Sequence, residues 1–175
     1  MLVFRKATEK DIIKVSEIYE DVHTCTENGD LNTGWVRNVY PTYHTAQKAF
    51  EREDLFVAED EGNIVGTAII NQIQMEEYRY AKWKYDAPDN EVMVLHTLAI
   101  LPSASGNGYG KEFVKFYEEY ALSQNCVYLR MDTNVINSVA RAMYKKLGFW
   151  ETGIVDCIFN GISDVGLVLL EKKLK

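Results

Sequence analysis

The chain has 175 residues, of which 47% are hydrophobic and 26% charged. That length suits one domain, and that balance suits a packed core rather than a disordered chain. Lys and Arg number 19 against 26 Asp and Glu, a net charge of −7. No basic run is longer than Lys145-Lys146 or Lys172-Lys173. The basic stripe that binding to nucleic-acid phosphates requires is therefore missing. No apolar stretch reaches the ~18 residues of a membrane span. Met1 to Glu9 lacks the apolar core of a secretory signal. Cys25, Cys126 and Cys157 form neither a CxxC pair nor a metal-ligand set, and read as reduced thiols. The expectation is one cytoplasmic domain over residues 1–175, with no metal and with neither nucleic acid nor membrane as partner.

Met1 to Arg5 reads as a short strand. Thr8 to Asp11 has capping-box spacing, with the Thr side chain accepting from the N–H three residues on. Ile12, Val15, Tyr19 and Val22 then recur at helical spacing. Thr24 to Thr33 is polar, contains Asn28-Gly29, and reads as a loop. Pro41 suits the first turn of a second helix running to about Arg52. Leu55 to Ala58 and Ile64 to Ile70 read as strands joined by a hairpin turn at Asp60-Glu61-Gly62-Asn63. Ile73 to Asn90 reads as a strand end followed by a long aromatic loop.

Val92 to Leu101 is the most apolar run and suits a central strand buried on both faces. A glycine-rich turn follows, then a helix to about Ser123 marked by Phe113, Phe116, Tyr117 and Tyr120. Val127 to Met131 is a strand. Val139, Met143 and Leu147 mark a helix stopped by Gly148. Trp150 to Ile158 and Val165 to Leu174 are the last strands, joined at Asn160-Gly161. The order βααββ, then βαβαββ, predicts an α/β (α+β) fold with a mixed sheet of about seven strands and about four helices.

The turn after the central strand reads Ser105-Gly106-Asn107-Gly108-Tyr109-Gly110-Lys111. Glycines at every second position let backbone N–H groups converge on one point with no Cβ in the way. The helix that follows adds its positive end, which suits a phosphate or pyrophosphate. A P-loop is excluded, because Ser105 stands for its first Gly and Glu112 for its Ser/Thr. A dinucleotide fingerprint is excluded too, because the sixth position counted from Gly106 is Lys111.

Leu98-Ala99-Ile100-Leu101-Pro102 and the glycine turn together resemble the acetyl-CoA motif of the GNAT N-acetyltransferase superfamily. Gly108 and Gly110 match its two small positions, and Ser105 departs from the usual Arg or Gln. Asn137-Ser138-Val139-Ala140-Arg141-Ala142-Met143-Tyr144-Lys145-Lys146-Leu147-Gly148-Phe149 resembles a second segment of that family. Asn137 and Tyr144 stand close to two helical turns apart, so they are expected on one face.

The resemblance implies a twisted sheet splayed after the central strand. Pantetheine would pair with backbone groups at Leu98, Ala99 and Ile100, and the N–H near Ala99 would face the acetyl carbonyl. Pyrophosphate would sit on Ser105, Gly106, Asn107, Gly108, Tyr109, Gly110 and Lys111, and Asn137 would contribute to the same site. Tyr144 would protonate the leaving thiolate. His96 would act as base, directly or through water, since alternation places it on one face with Val94 and Leu98. A base matters because a lysine-like amine (pKa ~10.4) must lose a proton before it attacks. His23 and His44 read as structural or exposed.

The implied activity is transfer of acetyl from acetyl-CoA to a small-molecule or peptide amine by direct transfer in a ternary complex. The alternatives are a non-catalytic acyl-CoA-binding module of the same fold and, less favoured, a nucleotide-binding α/β protein. Trp35, Tyr40, Tyr43, Tyr80, Trp83 and Tyr85 are candidates to line the acceptor site. The acidic balance weakly favours a cationic acceptor. The sequence leaves open whether two copies form a homodimer through the C-terminal strands.

Overall fold

The computed structural model describes all 175 residues. The elements run β1 (Val3–Lys6), α1 (Asp11–Glu27), α2 (Tyr43–Glu51), β2 (Leu55–Asp60), β3 (Asn63–Asn71), β4 (Val92–Ile100), α3 (Tyr109–Ser123), β5 (Tyr128–Asn134), α4 (Ser138–Lys146), β6 (Trp150–Phe159) and β7 (Ile162–Lys173). The seven strands form one sheet in the order β1-β2-β3-β4-β5-β7-β6. Only β4 and β5 run parallel. Both hairpins turn where two consecutive residues take positive φ, at Glu61-Gly62 and Asn160-Gly161. Such turns match the natural twist of paired strands.

Period-two alternation sorts the strands onto two layers. Met93 and Leu95 pack with Phe113 and Tyr117 of α3. Val92 and Val94 pack on the opposite face with Tyr78, Val165 and Leu167. Further along that opposite face, α1 and α2 cover β2 and β3 through Ile12, Val15, Ile18 and Ala46.

The parallel pair is short. Val92 to Leu95 pair with Tyr128 to Met131, and there the pairing stops. Beyond it β4 pairs only with β3, and β5 only with β7. The two strands therefore diverge, as the resemblance implies. The closed half is clamped by Tyr117, whose hydroxyl donates to the Met93 carbonyl at 2.6 Å and lies 3.2 Å from the Arg130 carbonyl.

Three local expectations are corrected. Pro41 is not in the first turn of α2: it follows a cis peptide, and Thr42 is the N-cap. Its side chain pairs reciprocally with the third helical position, a capping box the sequence reading missed. At α1, the Thr8 hydroxyl donates to the Asp11 carboxylate, which also accepts the Thr8 N–H. The Asp half of that box forms, whereas the Thr half runs the other way, because Arg5 fixes the carboxylate there.

The third correction concerns β4. Thr97 has φ +52 and is an extra residue in the ladder, since His96 pairs with Ile69 and Ala99 with Thr67. This bulge resets the alternation. His96 stays on the face of Val94, but Leu98 joins the α3 side, and Ala99 faces α1. His96 and Leu98 do not share a face.

Tyr117→Phe should leave the clamped carbonyls short of a donor. The expected loss is about 1–3 kcal/mol, read as a lower urea midpoint at unchanged m-value. An unchanged midpoint would show that the clamp carries no net stability.

Candidate active site

The divergence of β4 and β5 opens a cleft of about 500 Å³. The β4 edge that faces it, His96 to Ile100, has no strand partner, so the backbone groups that point outward from it, those of Leu98 and Ile100, are open to a ligand, while Ala99 bonds toward β3. At one end lie Ser105 and Gly110. At the other lie Trp35, Tyr40 and Phe159.

The glycine turn leaves the first end lined with free backbone donors, which suit an anion. None of the N–H groups from Gly106 to Lys111 donates to a backbone carbonyl, because α3 begins at Tyr109 and its first internal bond is Glu112 to Gly108. Six consecutive donors are left over at the positive end of a helix. Gly106 and Gly108 adopt φ +85 and +77, and a Cβ on either would meet no protein atom. The space above them is free, and the conformation suits glycine. The side chains turn away: Tyr109 donates to Asp60 at 2.7 Å, and Asn107 to the Ala104 carbonyl at 2.9 Å.

The loop between α1 and α2 roofs the second end. Tyr40 OH hydrogen-bonds Thr97 Oγ1, tying the loop to the bulge of β4. Across the cleft Gly34 presses on Asn134 of β5, so closely that a Cβ would collide with its amide. Tyr19, Trp35, Tyr40 and Phe159 meet edge to face in a continuous line. Of the six aromatic candidates, only Trp35 and Tyr40 line the cleft. Tyr43 and Tyr80 are exposed, Trp83 stacks on Arg130, and Tyr85 packs on Tyr128.

Three titratable side chains line the cleft at the fork. His96 Nε2 lies 2.8 Å from Asn71 Oδ1. The Asn71 amide donates to Asp54, and its oxygen also accepts the Ile73 N–H. That network makes Asn71 Oδ1 an acceptor, so His96 carries its proton on Nε2 and keeps a lone pair on Nδ1. Burial depresses its pKa to about 4.

Asp132 follows Met131, the last β5 residue paired with β4, as His96 follows Leu95. It lies on the same side as His96 and accepts from Tyr78 OH at 2.7 Å. Burial raises its pKa to about 7. Sequence reading missed it, because nothing local to Arg130-Met131-Asp132 marks where pairing ends. Tyr144 reaches the cleft from the α3–α4 side, edge-on to Phe149, with its phenol held well above the ordinary range by burial. Asn137 also lines the cleft, but as the N-cap of α4, where its side chain accepts the Ala140 N–H. His23 is buried against the Pro41 carbonyl, and His44 is exposed.

Of the predicted cofactor residues, Leu98, Ala99, Ile100, Ser105, Gly110 and Asn137 line the cleft. Gly106 to Tyr109 and Lys111 stand at its end, where they offer the N–H donors. No helix is long and apolar enough to cross a membrane, and no cluster of three His, Cys, Asp or Glu could hold a metal.

A mixed sheet forked at its parallel pair, with a glycine anion site at the following helix, defines an acyl-CoA N-acyltransferase fold. The profile of the Acetyltransferase (GNAT) family matches residues 15–149, and the chain belongs to that family of transferases. A GNAT-family acetyltransferase from Streptococcus agalactiae superposes with a TM-score of 0.82 at 20% identity, covering 99% of this chain and 96% of the other. A ribosomal-protein-alanine N-acetyltransferase from Brucella melitensis gives 0.72 at 20% identity, covering 98% and 99%. A Salmonella typhimurium protein described as an acetyltransferase, solved with its cofactor acetyl-CoA, gives 0.70 at 15% identity, covering 100% and 95%. No curated protein sequence matches the chain.

His96 and Asp132 should pull stability in opposite directions with pH. The His96 pKa is lower folded than unfolded, so its contribution is lost as pH falls from ~6.5 toward 4. The Asp132 pKa is higher folded, so its contribution is lost as pH rises from ~3.9 through 7. In the wild type the two slopes largely cancel between pH 4 and ~6.5. His96→Gln should unmask a fall in stability across that window, and Asp132→Asn a rise. Denaturant midpoints from pH 4 to 7 test this, and parallel curves for both variants would refute it.

Proposed function

We propose that this protein is a single-domain, cytoplasmic, acetyl-CoA-dependent N-acetyltransferase that passes acetyl directly to an amine in a ternary complex. The observation that carries the proposal is one continuous cleft that joins the glycine anion site to His96, Asp132 and Tyr144. The three free cysteines agree with a reducing compartment.

The residues fit the coenzyme. Gly106 to Lys111 offer unpaired donors for pyrophosphate, above glycines whose missing side chains leave that space open. The free β4 edge at Leu98 to Ile100 offers partners for the amide-bearing arm. When bound, acetyl-CoA supplies an acyl group activated as a thioester.

The side chains divide the proton work by face. A backbone N–H on the free β4 edge next to Ala99 is assigned to the carbonyl oxygen, where charge develops. His96 Nδ1 accepts the proton that nitrogen sheds as the C–N bond forms. That nitrogen becomes amide-like and acidic, so a weak base suffices. Tyr144, on the other face, keeps its proton at every working pH. It donates to sulfur as the C–S bond breaks.

Acetyl-CoA at ~100 times its dissociation constant should stabilise the protein by about 2.7 kcal/mol, a melting shift of roughly 5–11 °C. ATP and NAD should do much less, and an equal response to ATP would reject the coenzyme assignment. Gly108→Val should abolish the shift while the protein still folds.

Tyr144→Phe should lower turnover, followed as free thiol, by about 10²–10⁴-fold with acetyl-CoA binding little changed. His96→Ala should cost about 10²-fold at neutral pH and remove an activity limb near pH 4. Stabilisation by acetyl-CoA without thiol release to any amine would make the protein a non-catalytic acyl-CoA-binding module.

A further inference from the structure

We propose that the acceptor is a primary amine with an apolar, aromatic-sized body and no carboxylate, its ammonium paired with Asp132. The inference rests on the N-acetyltransferase reading and names the substrate class of the same cleft.

Charge comes first. No lysine or arginine lines the cleft. The nearby guanidinium groups are engaged elsewhere: Arg37 with Glu20 and Glu27, Arg52 with Asp54, Arg141 with Glu151, and Arg130, two residues from Asp132 on β5, with Gln74, the Tyr85 carbonyl and the Trp83 ring. His96 is neutral at physiological pH. A carboxylate carried in by an amino acid would therefore lie buried with no counter-ion, a strongly unfavourable state. The charged side chains on the lining are both acidic: Asp30 at the exposed rim and Asp132 at the fork.

Asp132 is arranged for a cation. Tyr78 OH occupies its Oδ2, leaving Oδ1 for a second donor. The groups around it are phenols from Tyr78, Tyr40 and Tyr144, the Cys157 thiol and the more distant Glu77. None brings a positive charge. The walls next to it are apolar: Trp35, Tyr40 and Phe159 in an edge-to-face line, with Val165 and Leu167. Such walls remove an apolar body from water, and their ring faces attract an ammonium.

The same pairing prepares the nucleophile. The ammonium gives one proton to Asp132 Oδ1, and the freed lone pair forms the C–N bond as the C–S bond breaks. The second nitrogen proton goes to His96 Nδ1, and sulfur takes the Tyr144 proton. Tyr144 is reprotonated from His96 through solvent, and Asp132 releases its proton to bulk. The sum is one amide, one thiol and one proton. The raised Asp132 pKa brings the carboxylate within roughly 3 units of an ammonium at ~10.4.

The test compares 2-phenylethylamine with phenylalanine, which differs from it by one carboxylate. Binding is measured by calorimetry on the enzyme loaded with coenzyme A, which cannot react. Turnover is followed as free thiol from acetyl-CoA. The amine should bind and turn over about 100-fold better. Asp132→Asn should weaken amine binding about 10–100-fold and leave the acetyl-CoA melting shift unchanged, while Asp132→Glu should retain most of the binding.

Equal or better use of phenylalanine would overturn the substrate class and leave the acetyltransferase reading standing. Amine binding that depends on Asp132 without any turnover would uphold the class and overturn that reading. Binding of neither compound, or amine binding unaffected in Asp132→Asn, would overturn the inference.

Discussion

The site exists because β4 and β5 stop pairing after Leu95 and Met131. A sheet normally satisfies both edges of a central strand, and an unpaired edge inside a protein is costly unless water or a ligand takes its place. Here β5 cannot follow β4, because β7 holds it in register as far as Asn134. The cost is confined by Tyr117, which bonds across the closed half, and by the apolar layers on either side of it. The result is a short, rigid stem and an open fork. Every group assigned to chemistry stands at that fork or on its free edge.

The bulge at Thr97 decides what the fork can do. A threonine at φ +52 is strained by about 1–3 kcal/mol, and the conformation is held by the Tyr40 hydroxyl on Thr97 and by ladder bonds on either side. Its effect is to break the alternation between His96 and Leu98. His96 and Asp132 face the α1 side, where an amine would enter. Leu98 and Ile100 face α3, the side of the glycine turn and Tyr144. On the proposed mechanism, the group that accepts a proton from nitrogen and the group that gives one to sulfur thus stand on opposite faces of the strand. The same Tyr40 contact ties the acceptor roof to the strand that would carry the acyl group, so the two halves of the cleft share one constraint.

What the sequence made legible follows how local each feature is. The glycine turn was readable because six adjacent residues build it and glycine is diagnostic of its conformation. The element order, both hairpins and Tyr144 were readable for the same reason. His96 stood out as the polar break in an apolar strand, and it does line the cleft, but Leu98 is not its face-mate, since a bulge leaves no signature in the alternation of Val94, His96 and Leu98. Asp132 was invisible, because its meaning lies in the point where pairing ends. The aromatic residues were ambiguous in another way. Trp35 and Trp83 have the same chemistry, and only the path of the chain puts one in the cleft and the other against Arg130.

Charge shows the same contrast between whole chain and site. A net charge of −7 acts on an approaching ligand through solvent, where the screening length is about 8 Å at physiological salt. It says little about what the cleft accepts. Inside, a single carboxylate with its water removed outweighs the rest of the surface. On the proposed reading the donor end holds phosphates in the same cavity, and a lysine or arginine pointing inward there would pair with Asp132 or offer a counter-ion to a carboxylate. The protein avoids that conflict by using backbone N–H groups, which attract anions without carrying a movable charge. Lys111, the cation within the turn, is exposed at the outer end, away from the fork. On that reading the glycines do two things at once: they make room for phosphate, and they let one cleft attract an anion at one end and a cation at the other.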